Sequence, residues 1–368
     1  MNWIIFFLFL VILQYLLLHL FIKTYWKDYS KAKKNNELPS VSILIPARNE
    51  EQVLPRLLNS LQNIDYPSEK LEFILADDNS QDKSAEILEK WCEKSENRNF
   101  ISLKPELFPK LHANGKASAL AHMTKQAKGK YLFLSDADCV FNPFWLREGV
   151  KCISEQGGML LGVTQVKGRG WLSKMQEIDW WHTLGIVKVS NDLGFGTTGL
   201  GNNMIVGKEE LKESGGFEGL PESLTEDLEL CRAFLKKGFP VYQQVSDKML
   251  VQTKAEENWE ALVRQRKRWL SGVLTLPFHW LFLLGLQALF YPLVFILISW
   301  DLNLGICVWL VKIAFQSMFI SSFSRKAGQK ISFLSLVIFD FYQILASTLS
   351  ILSYIWSKEI SWKQRSYR

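Results

Sequence analysis

Apolar positions along the chain form blocks of two lengths. Trp3 to Ile22 is an uncharged apolar run, and three more close the chain at Leu276 to Trp300, Leu304 to Ser324 and Ile331 to Trp356. At ~1.5 Å of rise per residue, runs of this length can cross the hydrocarbon of a bilayer as helices. Between them the runs are short. Pro39 to Pro46, Leu71 to Ala76 and Tyr131 to Leu134 are continuous, not alternating, which marks strands buried on both faces of a sheet. Each gives way to polar residues: Ala47-Arg-Asn-Glu-Glu51, Asp77-Asp-Asn-Ser-Gln-Asp82 and Ser135-Asp-Ala-Asp138. The first polar stretch opens a helical pattern through Leu54, Leu57, Leu58 and Leu61, and the second leads into a helix running to about Trp91. Strands alternating with helices imply right-handed crossovers, so the expected class is α/β with a mostly parallel sheet. Further on, Gly158 to Val166 reads as a strand, Trp171 to Val189 as an aromatic helix and Gly194 to Gly201 as a loop. A helix opens within Glu222 to Leu230, with Ser223 or Thr225 as N-cap and Leu224, Leu228, Cys231 and Leu235 on its inner face, and Gly238 and Pro240 end it.

This pattern divides the chain into an N-terminal transmembrane anchor at 1–22, an α/β domain at 39–272 with an interface helix at about 257–272, membrane helices within 276–356 and a basic tail at 357–368. The first run lacks a basic leader and a small-residue cleavage site, so it reads as a retained anchor. Lys23, Lys27, Lys31, Lys33 and Lys34 follow it, which by the positive-inside rule makes an integral membrane protein whose α/β domain faces the cytoplasm. Lys312 and Asp340 interrupt the last two runs. In a hairpin about Arg325 to Lys330 they reach similar depth, and an unpaired charge there costs at least ~2.5 kcal/mol, so they are expected to pair. A third crossing in this region carries the basic tail to the far side. The alternative, a last segment lying partly in the interface, stays open.

Composition narrows the function. With 368 residues, 48% hydrophobic and 22% charged, the chain is not a disordered one. Its five cysteines (Cys92, Cys139, Cys152, Cys231, Cys307) show no metal spacing and read as reduced packing residues. The net charge of +6 is modest and its basic residues flank apolar runs, which suits an anionic membrane surface and argues against a nucleic-acid partner.

The candidate chemistry lies at the strand ends, where ligands of an open parallel sheet bind. Asp136 and Asp138, two apart on extended chain, point the same way and can hold a hard divalent cation, although the same residues also suit a turn. Asp77 and Asp78 end the preceding strand on the same edge. Lys116, in Ala113-Asn-Gly-Lys-Ala-Ser-Ala-Leu120, can offer an ammonium at a helix start to a diphosphate, without the spacing of a P-loop. Glu226 and Asp227 occupy a first helical turn, where the helix dipole alone favours acids. Gln265, Arg268 and Trp269 fall at i, i+3 and i+4 on one face, with an Arg for phosphate and an indole for a sugar ring, although basic-aromatic helices also suit a membrane interface.

The ordered set Asp-Asp, Gly-Lys, Asp-x-Asp, Thr-Glu-Asp and Gln-x-x-Arg-Trp resembles the membrane-bound family 2 glycosyltransferases, which include hyaluronan, chitin and cellulose synthases and the ceramide glucosyltransferases. It spans about residues 39 to 275. The resemblance implies a GT-A fold and an inverting transfer from a UDP-sugar to a lipid or a growing glycan. It implies that Ala47, Asn49 and Glu50 belong to the first nucleotide-binding turn, and that Asp77 or Asp78 contacts the uracil or ribose. Lys116 and Asp136 would contact the nucleotide, and Asp138 would ligate Mg²⁺ or Mn²⁺. Asp227, beside Glu226, would be the base, with Gln265, Arg268 and Trp269 lining the diphosphate and acceptor end. Polymer-secreting members carry more membrane helices than this chain shows, which favours adding one or a few sugars to a membrane lipid. A small processive polysaccharide synthase is the alternative among enzymes. A non-catalytic nucleotide-binding membrane scaffold is the alternative of another class, disfavoured by the complete carboxylate set. Trp171, Trp180 and Trp181 are candidates to hold the acceptor, or else packing residues.

Overall fold

The computed structural model describes residues 1–31, 37–104, 112, 114–357, 359–362 and 365–367. Lys33, Lys34, Ala113, Lys358 and Arg368 lie outside the described residues. The chain opens with α1 (Asn2–Thr24), β1 (Val41–Ala47), α2 (Leu54–Gln62), β2 (Leu71–Asp77), α3 (Ser84–Cys92) and β3 (Arg98–Ser102). It continues through α4 (Gly115–Gln126), β4 (Tyr131–Leu134), α5 (Trp145–Gln156), β5 (Met159–Leu161), β6 (Val163–Lys167) and α6 (Gly170–Asp192). Then come β7 (Met204–Gly207), α7 (Lys208–Glu213), α8 (Glu226–Lys236), β8 (Val241–Gln243), β9 (Leu250–Lys254) and α9 (Trp259–Val273). Three long helices follow, α10 (Phe278–Trp300), α11 (Leu302–Lys326) and α12 (Phe333–Trp356), and two short strands, β10 (Ile360–Trp362) and β11 (Arg365–Tyr367).

The main sheet has the order β3-β2-β1-β4-β7-β5-β8, with β7 antiparallel to both neighbours and the other pairings parallel. The expected mostly parallel sheet is there. β1, β2 and β4 are buried almost throughout because helices cover both faces, and that burial is why their apolar runs are continuous. Their register sets Ala47 beside Asp77 and Leu44 beside Leu134, so the polar stretches after these strands open on one edge.

Four expectations change in detail. The run from Gly158 to Val166 is two strands: β5 joins the main sheet, while β6 pairs with β9 in a second, two-stranded sheet. The break falls at Gly162, packed so closely on Asn203 that a Cβ there would lie 2.3 Å from its side chain. Residues Ala47 to Glu51 end β1 and form a turn, and the helix starts only at Leu54. On α8 the buried face is Leu228, Leu230, Cys231 and Phe234, while Leu235 lies over Gly196 at the surface. Thr225 stands at the N-cap position but makes no side-chain cap; its N–H donates to Ser223 Oγ at 3.1 Å.

Among the described residues four helices, starting at Asn2, Phe278, Leu302 and Phe333, are long and apolar enough to cross a membrane. α1 packs on α10 and α11, whereas α12 packs chiefly on α9 and α6. Lys312 and Asp340 form the expected ion pair, with side chains only 3% and 1% exposed. Asp340 also accepts from Tyr291 OH at 3.0 Å and Trp309 Nε1 at 2.6 Å, so neither oxygen is left bare in an apolar setting. Beyond α12 the chain turns back to α9, where Lys267 Nζ donates to the Glu359 carbonyl at 2.6 Å.

Candidate active site

Two turns build one wall of the strand-end edge. Asp78 N–H donates to the Ala47 carbonyl at 2.8 Å, and Arg48 Nη1 reaches the Asp78 carbonyl at 2.5 Å. Asn49 (φ 52°) and Asn79 (φ 55°) sit in the left-handed region, which Asn tolerates better than most side chains. Asn49 N–H donates to Ser80 Oγ at 2.9 Å, Gln81 N–H to Asn49 Oδ1 at 2.8 Å and Glu50 N–H to Ser84 Oγ at 2.7 Å. The turn after β1 and the turn after β2 are thereby one rigid piece. Asp77 is buried within it. Its Oδ2 accepts from Ser80 N–H at 3.1 Å, but Oδ1 has no partner, and a buried oxygen so placed is suited to a ligand N–H or hydroxyl.

The centre of the edge is a knot of charge. Asn114 caps α4, its Oδ1 accepting from Lys116 N–H at 3.0 Å, and so fixes where Lys116 begins. Lys116 Nζ lies 2.5 Å from Asp136 Oδ1 and 3.1 Å from Glu226 Oε1. Glu226 Oε2 in turn accepts from Asn114 Nδ2 at 2.9 Å, which ties the first turn of α8 to the start of α4. Burial pulls the Lys116 ammonium toward neutrality, but Asp136, Glu226 and Asp227 outweigh it and hold the pKa above the ordinary lysine value. Asp227 Oδ2 accepts from Gly201 N–H at 3.0 Å. Burial, and then the negative Glu226, push its carboxyl up to about 6, against the opposing charges of Lys116 and Arg268. The backbone reaches this acid so closely because Gly199 has no side chain: a Cβ there would lie 2.3 Å from the Asp227 carbonyl oxygen.

Asp138 stands beside this knot, with Oδ2 accepting from Thr253 Oγ1 on β9 at 2.8 Å. Asp136 and Asp138 are a partly exposed, oxygen-only donor set, which in its chemistry fits a hard divalent cation completed by ligand and water oxygens. Lys254, next to Thr253, comes within 4.0 Å of Glu50, linking the second sheet to the first turn.

α9 closes the site. Asn258 caps it, accepting from Ala261 N–H at 2.9 Å, and the helix begins within two residues of the expected start. Gln265 Nε2 donates to Glu256 Oε1 at 2.8 Å, Arg268 is near enough for its charge to favour the Asp227 carboxylate, and Trp269 meets Trp180 edge-on at 5.7 Å. The structure therefore joins Lys116 directly to Asp136 and Glu226, and sets Asp227 within the charges of Glu226, Lys116 and Arg268. Ala47, Asn49, Glu50, Asp77 and Asp78 form the adjoining wall. Of the three helix tryptophans, Trp181 does not face the site: it is fully buried against Phe323 of α11. Asn114, Thr253 and Gly199 are functional-site neighbours that the sequence reading did not single out. An Asn directly before Gly-Lys at a helix start is a capping signal and could have revealed Asn114, whereas a threonine in a short strand carries no signal of its own.

The sequence profile of glycosyl transferase family 21 matches residues 4–368. A probable glycosyltransferase, YdaM, of Bacillus subtilis is 27% identical over 266 residues, covering 68% of this chain and 59% of that protein. The beta-monoglucosyldiacylglycerol synthase of Trichormus variabilis is 26% identical over 261 residues, covering 67% and 51%. The chain thus aligns with little more than half the length of these curated relatives. Among solved structures, the mannosyltransferase PcManGT from Pyrobaculum calidifontis, in complex with GDP-Man and Mn²⁺, superposes with a TM-score of 0.59 at 15% identity, covering 95% of this chain and 96% of that one. That likeness is one of fold, a GT-A fold, which in this chain has helices long and apolar enough to cross a membrane at both ends.

Proposed function

The chain belongs to glycosyl transferase family 21, a family of the family 2 type, and from that premise we propose that it moves a sugar from a UDP-sugar to a membrane lipid with inversion at the anomeric carbon. One observation carries this reading: Asp227, a half-buried carboxyl with its pKa pushed up to about 6, stands within the charges of Lys116 and Arg268 at the strand-end edge. In the proposed reaction the acceptor hydroxyl oxygen bonds to the anomeric carbon as the bond from that carbon to the diphosphate oxygen breaks. The hydroxyl proton passes to Asp227, and the electron pair of the broken bond leaves with UDP. The attack comes from the face opposite the leaving group, so an α-linked donor gives a β-linked product.

The remaining residues take binding roles. Asp77 and Asp78, with the turn of Ala47, Asn49 and Glu50, hold the uridine, and the free Oδ1 of Asp77 awaits a donor from it. Lys116, now paired with Asp136 and Glu226, supplies positive charge beside the diphosphate. Asp138 with Asp136 would hold Mg²⁺ or Mn²⁺, which when bound neutralises charge on the leaving diphosphate. Gln265, Arg268 and Trp269 line the diphosphate and acceptor end. The lipid acceptor is supported by the Trichormus relative, named for a glucosylated diacylglycerol, and by the catalytic edge lying next to helices fit to span a bilayer. We place the anchor at 1–22, the catalytic domain at 39–272 facing the cytoplasm, membrane helices within 276–356 and a basic tail at 357–368.

The test is release of the nucleoside diphosphate by the purified protein, with Mn²⁺, membrane lipid extract and a panel of UDP-sugars, with a GDP-sugar as control. Lipid-dependent release with one UDP-sugar is expected, reduced by about 10²- to 10⁴-fold in Asp227→Asn and lost in Asp138→Asn. Release with the GDP-sugar alone would overturn the donor, and undiminished transfer by Asp227→Asn would overturn the base. Product length separates this reading from a processive synthase.

A further inference from the structure

Gln176, Asp179 and Trp180 lie at i, i+3 and i+4 on α6 and so share one face. Each meets the segment that carries Gln265 to Trp269. Gln176 exchanges two hydrogen bonds with the Glu256 backbone, both 2.9 Å, and the Glu256 side chain accepts from Gln265. Asp179 forms an ion pair with the Arg266 guanidinium, and Trp180 meets the Trp269 ring. Arg266 also donates from Nη2 to Tyr342 OH on α12 at 3.0 Å, and its guanidinium lies over the Tyr342 ring, 5.4 Å from the centroid. At about 100° of turn per residue, Arg266 leaves α9 to the side of the face shared by Gln265, Arg268 and Trp269. A side chain gripped there by two other helices fixes the rotation of α9 about its axis. Only 12% of the Arg266 side chain and 17% of Asp179 are exposed, so solvent screens this pair weakly.

From this geometry we infer that Asp179, Arg266 and Tyr342 are positioning residues, which set the angle at which α9 presents Gln265, Arg268 and Trp269 to the reacting groups. The grip extends into the apolar helices. Asp340, two residues before Tyr342 and on the opposite side of α12, is held by Lys312. α12 is therefore clamped on one face to α10 and α11 and on the other to α9 and α6. A shift of the apolar helices thus reaches the catalytic helix through Tyr342 and Arg266. This inference rests on the proposed transfer reaction for its kinetic consequence but not for its geometry.

The experiment uses full-length protein in lipid nanodiscs and compares Asp179→Asn, Arg266→Gln, their double variant, Arg266→Lys and Tyr342→Phe with the parent. Two quantities are read: steady-state transfer from the UDP-sugar that the parent uses, and amide hydrogen exchange of residues 259–273 without substrate. A positioning role predicts that kcat falls tenfold or more in Arg266→Gln while the donor KM stays within threefold. It predicts a double variant no worse than Arg266→Gln alone, because the two residues act through one contact, and partial recovery in Arg266→Lys. Exchange in 259–273 rises in the single variants, most in Arg266→Gln, while exchange in β1 and β2 is unchanged. Independent, multiplicative losses from Asp179→Asn and Arg266→Gln would overturn the inference, as would loss of protection spread equally over the sheet. Should the parent transfer no sugar, the reaction reading fails by itself. The exchange arm still decides this one, and unchanged protection of α9 would end it.

Discussion

A base that removes a hydroxyl proton serves best when its own conjugate acid is not far below the working pH, and the surroundings of Asp227 supply this. Burial and the adjacent Glu226 both disfavour its charged form, and Lys116 and Arg268 prevent a larger shift. The sign follows directly. In the proposed reaction transfer needs the carboxylate, and a raised pKa moves its protonation up from the ordinary acidic range, so kcat/KM should fall as pH drops through about 6 and level off above it. Glu226→Gln removes the like charge and should move the limb to lower pH. A limb that stays near pH 6 in that variant would assign it to another group. Gly199 gives a steric counterpart: in Gly199→Ala the new methyl meets the Asp227 carbonyl, so the α8 start must move. Transfer should fall at least tenfold while UDP binding, read by calorimetry, changes little.

At the scale of elements, what could be read from sequence tracks burial. β1, β2 and β4 are covered on both faces and announced themselves as unbroken apolar runs. β3, an edge strand reading Arg-Asn-Phe-Ile-Ser, is mostly half-buried and has no such run, so it passed unnoticed. The division at Gly162 depends on contact with Asn203, a tertiary fact with no local trace. Site residues followed the same rule. The acids at strand ends were legible because the sheet's topology aims them at one edge, whereas the acids opening α8 are equally what a helix dipole selects. Neighbouring Trp180 and Trp181 look alike in sequence, and only packing separates the one beside Trp269 from the one buried on Phe323. Lys312 and Asp340 were legible as a pair because an apolar setting allows a charge so few remedies. Removing one partner leaves the other buried and costs about 3–5 kcal/mol. Folded yield of Lys312→Ala and of Asp340→Ala should therefore drop, and the double variant should recover part of the loss. A double variant no better than either single one would show that the pair does not act as a unit.

For the molecule as a whole, the return of the chain after α12 bears on which side the tail occupies. Three successive crossings would separate the tail from α9, yet Glu359 is bound to Lys267 on that helix. α12, packed along α9 and α6, therefore ends beside α9, which favours a tail on the side of the α/β domain. Cysteines placed at Ser357 and at Lys94, with Cys307 replaced by Ser, should react with a membrane-impermeant maleimide from the same face of oriented vesicles. Labelling from opposite faces would restore the third crossing. Among the described residues, four helices long and apolar enough to cross a membrane and a GT-A domain packed on them suit the proposed reaction, in which a water-soluble donor meets an acceptor held in the bilayer. The anomeric configuration of the product bears on that account most directly. After transfer from an α-linked UDP-sugar, proton NMR of the purified product should show a β linkage, as one displacement with Asp227 as base requires. An α linkage would contradict it.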